Sequence, residues 1–158
     1  MDHLWSPWRF QYVSQAAQTT DCIFCAKPRA EKDEDNLIFF RGEHNFGILN
    51  LYPYTSGHLM IVPYLHAATL NEVPSDALSE LMKLTQRAEC ALVEVYRPKG
   101  INVGMNIGEC AGAGIAGHIH MHVLPRWPGD INFMTAIGET RVLVEDIATT
   151  YAKLKNAF

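Results

Sequence analysis

Along this chain the spacing of apolar residues changes several times, and each change marks an element. Leu37-Ile38-Phe39-Phe40, Phe46-Gly47-Ile48-Leu49-Asn50 and His58-Leu59-Met60-Ile61-Val62 are short runs rich in aromatic and branched side chains, and they read as strands. Gly42-Glu43-His44-Asn45 suits a hairpin turn between the first two, and Pro53-Tyr54-Thr55-Ser56-Gly57 a longer connection to the third. Between residues 74 and 98 the period lengthens. Leu78, Leu81, Leu84, Ala88, Ala91, Leu92 and Val95 recur at helical spacing, with Ser75 and Asp76 as capping candidates. Ile101-Asn102-Val103-Gly104-Met105-Asn106 and residues 118–124 return to strand spacing, separated by a loop containing Gly108, Gly112, Gly114 and Gly117. A last helix is expected over residues 139–155, packing through Val142, Ile147, Tyr151 and Leu154. Before the first strand, residues 4–20 suit a short arm or helix, residues 22–28 a tight ligand-bearing turn, and residues 29–36 a charged surface loop. Strands that run mostly consecutively and then receive helices predict an α+β fold with a mainly antiparallel sheet of about five strands.

Composition narrows the picture without changing it. A chain of 158 residues with 48% hydrophobic residues has material for one core, so one domain is expected over residues 1–158: an arm at 1–20, a core at 22–127 and a C-terminal extension at 128–158. A net charge of -4 argues against nonspecific nucleic-acid binding, which needs clustered cations. A polyanionic substrate would have to be met by local donors. The N-terminus lacks the basic start and apolar run of a secretory signal, and no window has the length of a membrane span. The expected compartment is therefore the cytoplasm. There, the four cysteines are expected to be reduced or metal-bound.

The candidate chemistry is concentrated in His118-Ile119-His120-Met121-His122. Strand alternation projects the three imidazoles from one face, about 6.5–7 Å apart, and sends Ile119, Met121 and Val123 to the other. Imidazole serves as nucleophile, acid, base or metal ligand near neutrality. Three at period two make a poor surface filler. One competing reading is a catalytic zinc held by these rings. Against it, the stretch has no carboxylate to act as base for a metal-bound water, whereas the preceding glycine loop offers backbone N–H groups to an anion.

The segment His118-Ile119-His120-Met121-His122-Val123-Leu124 resembles the signature of the histidine triad family, His-φ-His-φ-His-φ-φ with φ apolar. The resemblance continues through Pro125-Arg126-Trp127. The flanks Leu4-Trp5-Ser6-Pro7-Trp8-Arg9 and Gly129-Asp130-Ile131-Asn132-Phe133-Met134 are similar to the bacterial branch that includes diadenosine tetraphosphate phosphorylases. The resemblance implies a homodimer with a histidine-triad-like fold that takes a nucleotide substrate, cleaving dinucleoside polyphosphates at the α-phosphate in two steps. His120 would attack phosphorus and form a nucleotidyl-imidazole, which water or phosphate then resolves. His122 would meet the scissile phosphate, and His118 would orient the row. A nucleoside phosphoramidase, or a nucleotide-binding regulatory protein with little turnover, are the alternatives. No organic cofactor is expected.

The same resemblance assigns a pocket. Asn106 and the N–H groups of Gly112, Gly114 and Ile115 would contact phosphate; many relatives carry Ser or Thr at the Ile115 position, so that hydroxyl is missing here. Phe46 and Ile48 share a strand face with Asn50, suiting a base and then a ribose hydroxyl, although the first two could equally be plain core and Asn50 a turn cap. His58 would sit behind the triad as a support, or be a satisfied core residue. Cys22-Ile23-Phe24-Cys25 has metal-ligand spacing, with a redox pair or two buried thiols as competing readings. Relatives with such a pair complete a structural zinc site with residues that map onto His66 and His118; His44 is a less favoured fourth ligand. Cys90 is expected to pack on its helix, and Cys110 falls in the phosphate loop.

Overall fold

The computed structural model of the protein describes residues 22–130 and 142–158. The expected N-terminal arm, and residues 131–141 with the first part of the expected last helix, lie outside the described residues. The predicted α+β architecture is present: five antiparallel strands in the order β1-β2-β3-β5-β4. They are β1 (Ile38–Arg41), β2 (Asn45–Leu49), β3 (Leu59–Pro63), β4 (Gly100–Gly104) and β5 (Met121–Arg126). Among the described residues four α-helices accompany them: α1 (Ile23–Arg29), α2 (Asp33–Asn36), α3 (Ser75–Tyr96) and α4 (Ile147–Ala157).

One face of the sheet carries the main core. Phe39, Leu49, Leu59, Ile61 and Val123 meet Leu81, Leu84, Ala88 and Leu92 of α3 and Tyr151 and Leu154 of α4. Tyr151 also donates its hydroxyl to the Ile38 carbonyl, which ties α4 to the β1 edge. The other face is smaller. Ile38, Phe46, Ile48, Met60 and Val62 lie beneath Phe24 of α1, so α1 covers the side of the sheet that α3 and α4 leave open.

Several local expectations are corrected. Residues 22–28 form a helix rather than a turn, with Cys22 at its N-cap and its carbonyl accepting from the N–H groups of Cys25 and Ala26. Residues 29–36 include the short helix α2. The long helix starts behind Pro74 with no side-chain cap; Asp76 accepts from the next N–H, of Ala77, and Ser75 is not a cap. The last helix begins at Ile147, where Asp146 caps the Thr149 N–H, and Val142 is exposed rather than packed. Cys90 faces outward. The histidine strand also starts late, at Met121. The β3–β5 register ends at Ile61 and Met121; two residues further it would set Ile119 against Pro63, and proline has no N–H to continue the ladder. Ile119 donates instead to the Ala67 carbonyl.

Candidate active site and metal centre

Met60 of β3 pairs with His122 of β5, so cross-strand neighbours on the α1 side of the sheet are Ile48, Met60 and His122. His58, one residue before β3, projects to the same side. Its Nε2 lies 2.9 Å from Nδ1 of His122. The Tyr54 N–H donates to His58 Nδ1 at 3.1 Å, so that nitrogen bears a lone pair and the proton sits on Nε2. His58 therefore donates to His122, and His122 carries its own hydrogen on Nε2.

His120 is arranged the opposite way. Its Nδ1–H donates to the His118 carbonyl at 2.8 Å, which leaves the lone pair on Nε2. The rings of His120 and His122 have centroids 4.8 Å apart and an interplanar angle of 75°. Burial holds the His120 pKa below the usual imidazole range, partly countered by the bond to the His118 carbonyl. Burial, and then the neighbouring His120, pull His122 down to about 4. At neutral pH the pair is thus uncharged, presenting one basic nitrogen and one N–H donor.

His118 turns away from this pair. Its Nε2–H donates to the Pro63 carbonyl at 2.9 Å. Its Nδ1 then faces Sγ of Cys22 at 3.3 Å and Sγ of Cys25 at 3.6 Å, and Cys25 Sγ lies 3.4 Å from His66 Nδ1. Burial, followed by the hydrogen bond with Cys22, pushes the Cys25 thiol up. The four donor atoms all lie within 4.8 Å of one another. The edge of a tetrahedron around zinc with sulfur and nitrogen ligands is about 3.5 Å, so the donor set and its spacing fit that ion. His44 stands apart, 3.6 Å from Asp76.

The family described as "HIT domain" matches residues 31–129. The chain belongs to the HIT family. An AP-4-A phosphorylase of Mycobacterium tuberculosis is 40% identical over 95% of this chain and 80% of its own length. An adenosine 5'-monophosphoramidase of Candida albicans is 27% identical over 89% of this chain and 97% of its own. Among solved structures, a zinc-bound histidine triad family protein of Mycobacterium smegmatis superposes with a TM-score of 0.71 at 28% identity, covering 87% of this chain and 92% of that one.

Around the HIT motif the remaining expected residues are placed as follows. Asn50 reaches His58 Nδ1 with its amide at 3.4 Å. Phe46 and Ile48 are 0% and 1% exposed, sealed beneath Phe24, Tyr64 and Ile115; they form the floor of the triad face rather than an open wall. Between β4 and β5 the loop makes a 3-10 turn, Glu109–Ala111, bounded by Gly108 at φ 83° and Gly112 at φ 90°. That region of φ is open to glycine and strained for other residues. The Asn106 amide donates to the Gly112 carbonyl at 3.4 Å, bracing the loop, and Gly114 and Ile115 lead into the His118 turn, whose N–H bonds the Ile115 carbonyl.

Two contributors escaped the sequence reading. Phe24 packs against both His118 and His120, with centroids 5.5 and 4.9 Å away. Tyr54 packs at a tilt against His58 with centroids 4.7 Å apart and lies stacked with His122 at 6.3 Å, besides supplying the N–H that fixes the tautomer. Phe24 lies inside the Cys22/Cys25 pair, a position that hinted at contact with the metal cluster. Nothing in the sequence singles out a backbone N–H.

Proposed function

We propose that this protein is a nucleotidyl transferase acting on dinucleoside polyphosphates such as diadenosine tetraphosphate, with His120 as nucleophile and inorganic phosphate as the favoured acceptor. The observation that carries the reading is the opposed pair of tautomers, a bare Nε2 on His120 beside an Nε2–H on His122. In the first step a P–N bond forms between His120 Nε2 and the α-phosphorus while the bond from that phosphorus to the bridging oxygen breaks. A polyphosphate leaves as an anion, so His122 need only donate a hydrogen bond to the departing oxygen. In the second step an oxygen of inorganic phosphate attacks the α-phosphorus, the P–N bond breaks and a nucleoside diphosphate departs. An oxyanion acceptor brings no proton that must be removed. Water would bring one, and His122 Nε2 is already protonated.

The neutral state of His122 also weighs against a phosphoramidate substrate, whose amine must gain a proton on leaving. The relation to the M. tuberculosis AP-4-A phosphorylase supports the same choice. Asn106 and the N–H groups of Gly112, Gly114 and Ile115 are proposed to receive phosphate, and Asn50 the ribose, with Phe46 and Ile48 as the buried floor beneath the nucleoside. Cys22, Cys25, His66 and His118 would hold a zinc ion, which supplies no chemistry to the step but a fixed cross-link. His118 thereby becomes a ligand whose carbonyl positions His120. One domain spans the chain in this reading, and a homodimer in the cytoplasm is proposed with it; β4, an edge of the described sheet, offers a surface for the second copy. No helix among the described residues is long and apolar enough to cross a membrane.

Incubation with diadenosine tetraphosphate, with and without inorganic phosphate, tests the proposal. Phosphorolysis yields ADP and ATP only when phosphate is present. Equal amounts of AMP and ATP regardless of phosphate would replace the acceptor by water, and an unchanged substrate would remove the assignment.

A further inference from the structure

We infer that Asn50 is a positioning residue for this site: with the Tyr54 N–H, its side-chain amide holds His58 in the one tautomer that makes His122 a hydrogen-bond donor. The inference rests on the reading of His122 as the group that meets the leaving oxygen. It gives Asn50 a task beyond the ribose contact.

Three contacts fix the side chain. The Tyr52 N–H donates to Asn50 Oδ1 at 3.0 Å, which identifies the oxygen end of the amide and turns Nδ2 inward. Nδ2 then points at His58 Nδ1 at 3.4 Å. The Asn50 N–H donates to the His58 carbonyl at 3.1 Å, so the two residues are locked across the ends of β2 and β3. Two N–H donors, from Asn50 and Tyr54, thus converge on a single nitrogen of a buried ring. A proton on that nitrogen would face both, and leaving polar hydrogens opposed in a buried site is costly. His58 is forced to carry its proton on Nε2, His122 accepts it on Nδ1, and His122 Nε2–H remains for the substrate.

The choice of amide over carboxylate at position 50 is what makes the relay run this way. A carboxylate would attract a proton to His58 Nδ1. His58 Nε2 would then bear the lone pair, His122 would donate from Nδ1, and a bare His122 Nε2 would face phosphate oxygen. Donor function would return only when the two rings together took up a proton. Among the described residues, the titratable groups in ring contact with His58 and His122 are Tyr54, from the β2–β3 connection, and His120, from the approach to β5.

The test is the nitrogen-15 spectrum of histidine-labelled, substrate-free protein, read beside steady-state kinetics. In the wild type, Nδ1 of both His58 and His122 is expected to be unprotonated. Asn50→Asp should move the protons to Nδ1 on both rings. Its KM should change little, because a carboxylate still accepts a ribose hydroxyl, while kcat at neutral pH falls about tenfold or more and recovers as pH is lowered. Asn50→Ala should leave the wild-type tautomer dominant through Tyr54 but let the other form populate, and should raise KM. Protonated Nδ1 in the wild type, or unchanged tautomers in Asn50→Asp, would overturn the inference; if that variant fails to fold, a His58 Nδ1 in Asn50→Ala as fully unprotonated as in the wild type would overturn it. Expected tautomers without turnover of any nucleotide would instead overturn the proposed function and leave the relay in place.

Discussion

His120 owes its bare Nε2 to a bond made two residues back along its own chain, since Nδ1–H donates to the His118 carbonyl. His120→Ala removes that nitrogen and nothing else from the relay. Turnover is expected to fall by at least about a thousandfold with nucleotide binding retained, measured by single-turnover kinetics and calorimetric titration. His122 makes a separate statement about stability. Its folded pKa, about 4, lies below the unfolded value of about 6.5, so the unfolded chain takes up the proton first as pH falls. Stability is complete above about pH 6.5 and is lost down to about pH 4, at most about 3 kcal/mol from this residue; His120 adds in the same direction. The urea midpoint should therefore drop between pH 7 and pH 5. In His122→Asn that drop should shrink, and an equal drop in both proteins would contradict the buried neutral imidazole.

At the scale of elements, the turn between β1 and β2 is held from outside. The Glu80 carboxylate of α3 accepts from the N–H groups of Glu43 and His44 and from the Asn45 amide, at 2.7, 2.8 and 2.7 Å. Burial raises its pKa, but those hydrogen bonds outweigh it and hold the carboxyl below its usual range. Glu80→Ala leaves the fully buried Asn45 amide with only the Ala77 carbonyl and should cost about 2–3 kcal/mol, read as a lower urea midpoint. Glu80 shows what a sequence hides. It lies 35 residues from Asn45, and on a helix a lone glutamate reads as solvated surface. The strands were legible because short branched runs and a change of period are local properties, and α3 because its apolar stripe persists over several turns. Helix α1 was not, since seven residues with Pro28 inside carry too little periodicity, and only Phe24 lying on the triad face decides the matter. For the site, the alternation of His118, His120 and His122 and the Cys22–Cys25 spacing could be seen in the sequence, whereas His66 and His118 joined that pair only through the family resemblance. The direction of each proton could not, because carbonyls and N–H groups of Tyr54, Pro63 and His118 set it.

Across the whole molecule the four donor atoms join three parts of the chain that are far apart in sequence: α1 through Cys22 and Cys25, the connection after β3 through His66, and the approach to β5 through His118. An ion held there would tie the cover of the triad face to its floor. Helix α1 is short, and its Phe24 is the contact that closes over His118 and His120, so the cross-link acts where the described fold is otherwise lightly fastened. Binding to the folded chain alone stabilises by mass action, about 2.7 kcal/mol when free zinc is a hundredfold above its dissociation constant. For a chain of this size that corresponds to a rise in Tm of roughly 5–10 °C. Differential scanning fluorimetry with zinc and then with excess chelator should show that rise and its reversal. Cys25→Ser should abolish most of the shift by removing a thiolate ligand, whereas His44→Ala should leave it intact, since His44 lies against Asp76 and outside the cluster. A shift that survives Cys25→Ser but disappears in His44→Ala would move the ion to a different site and release His118 from its role as ligand.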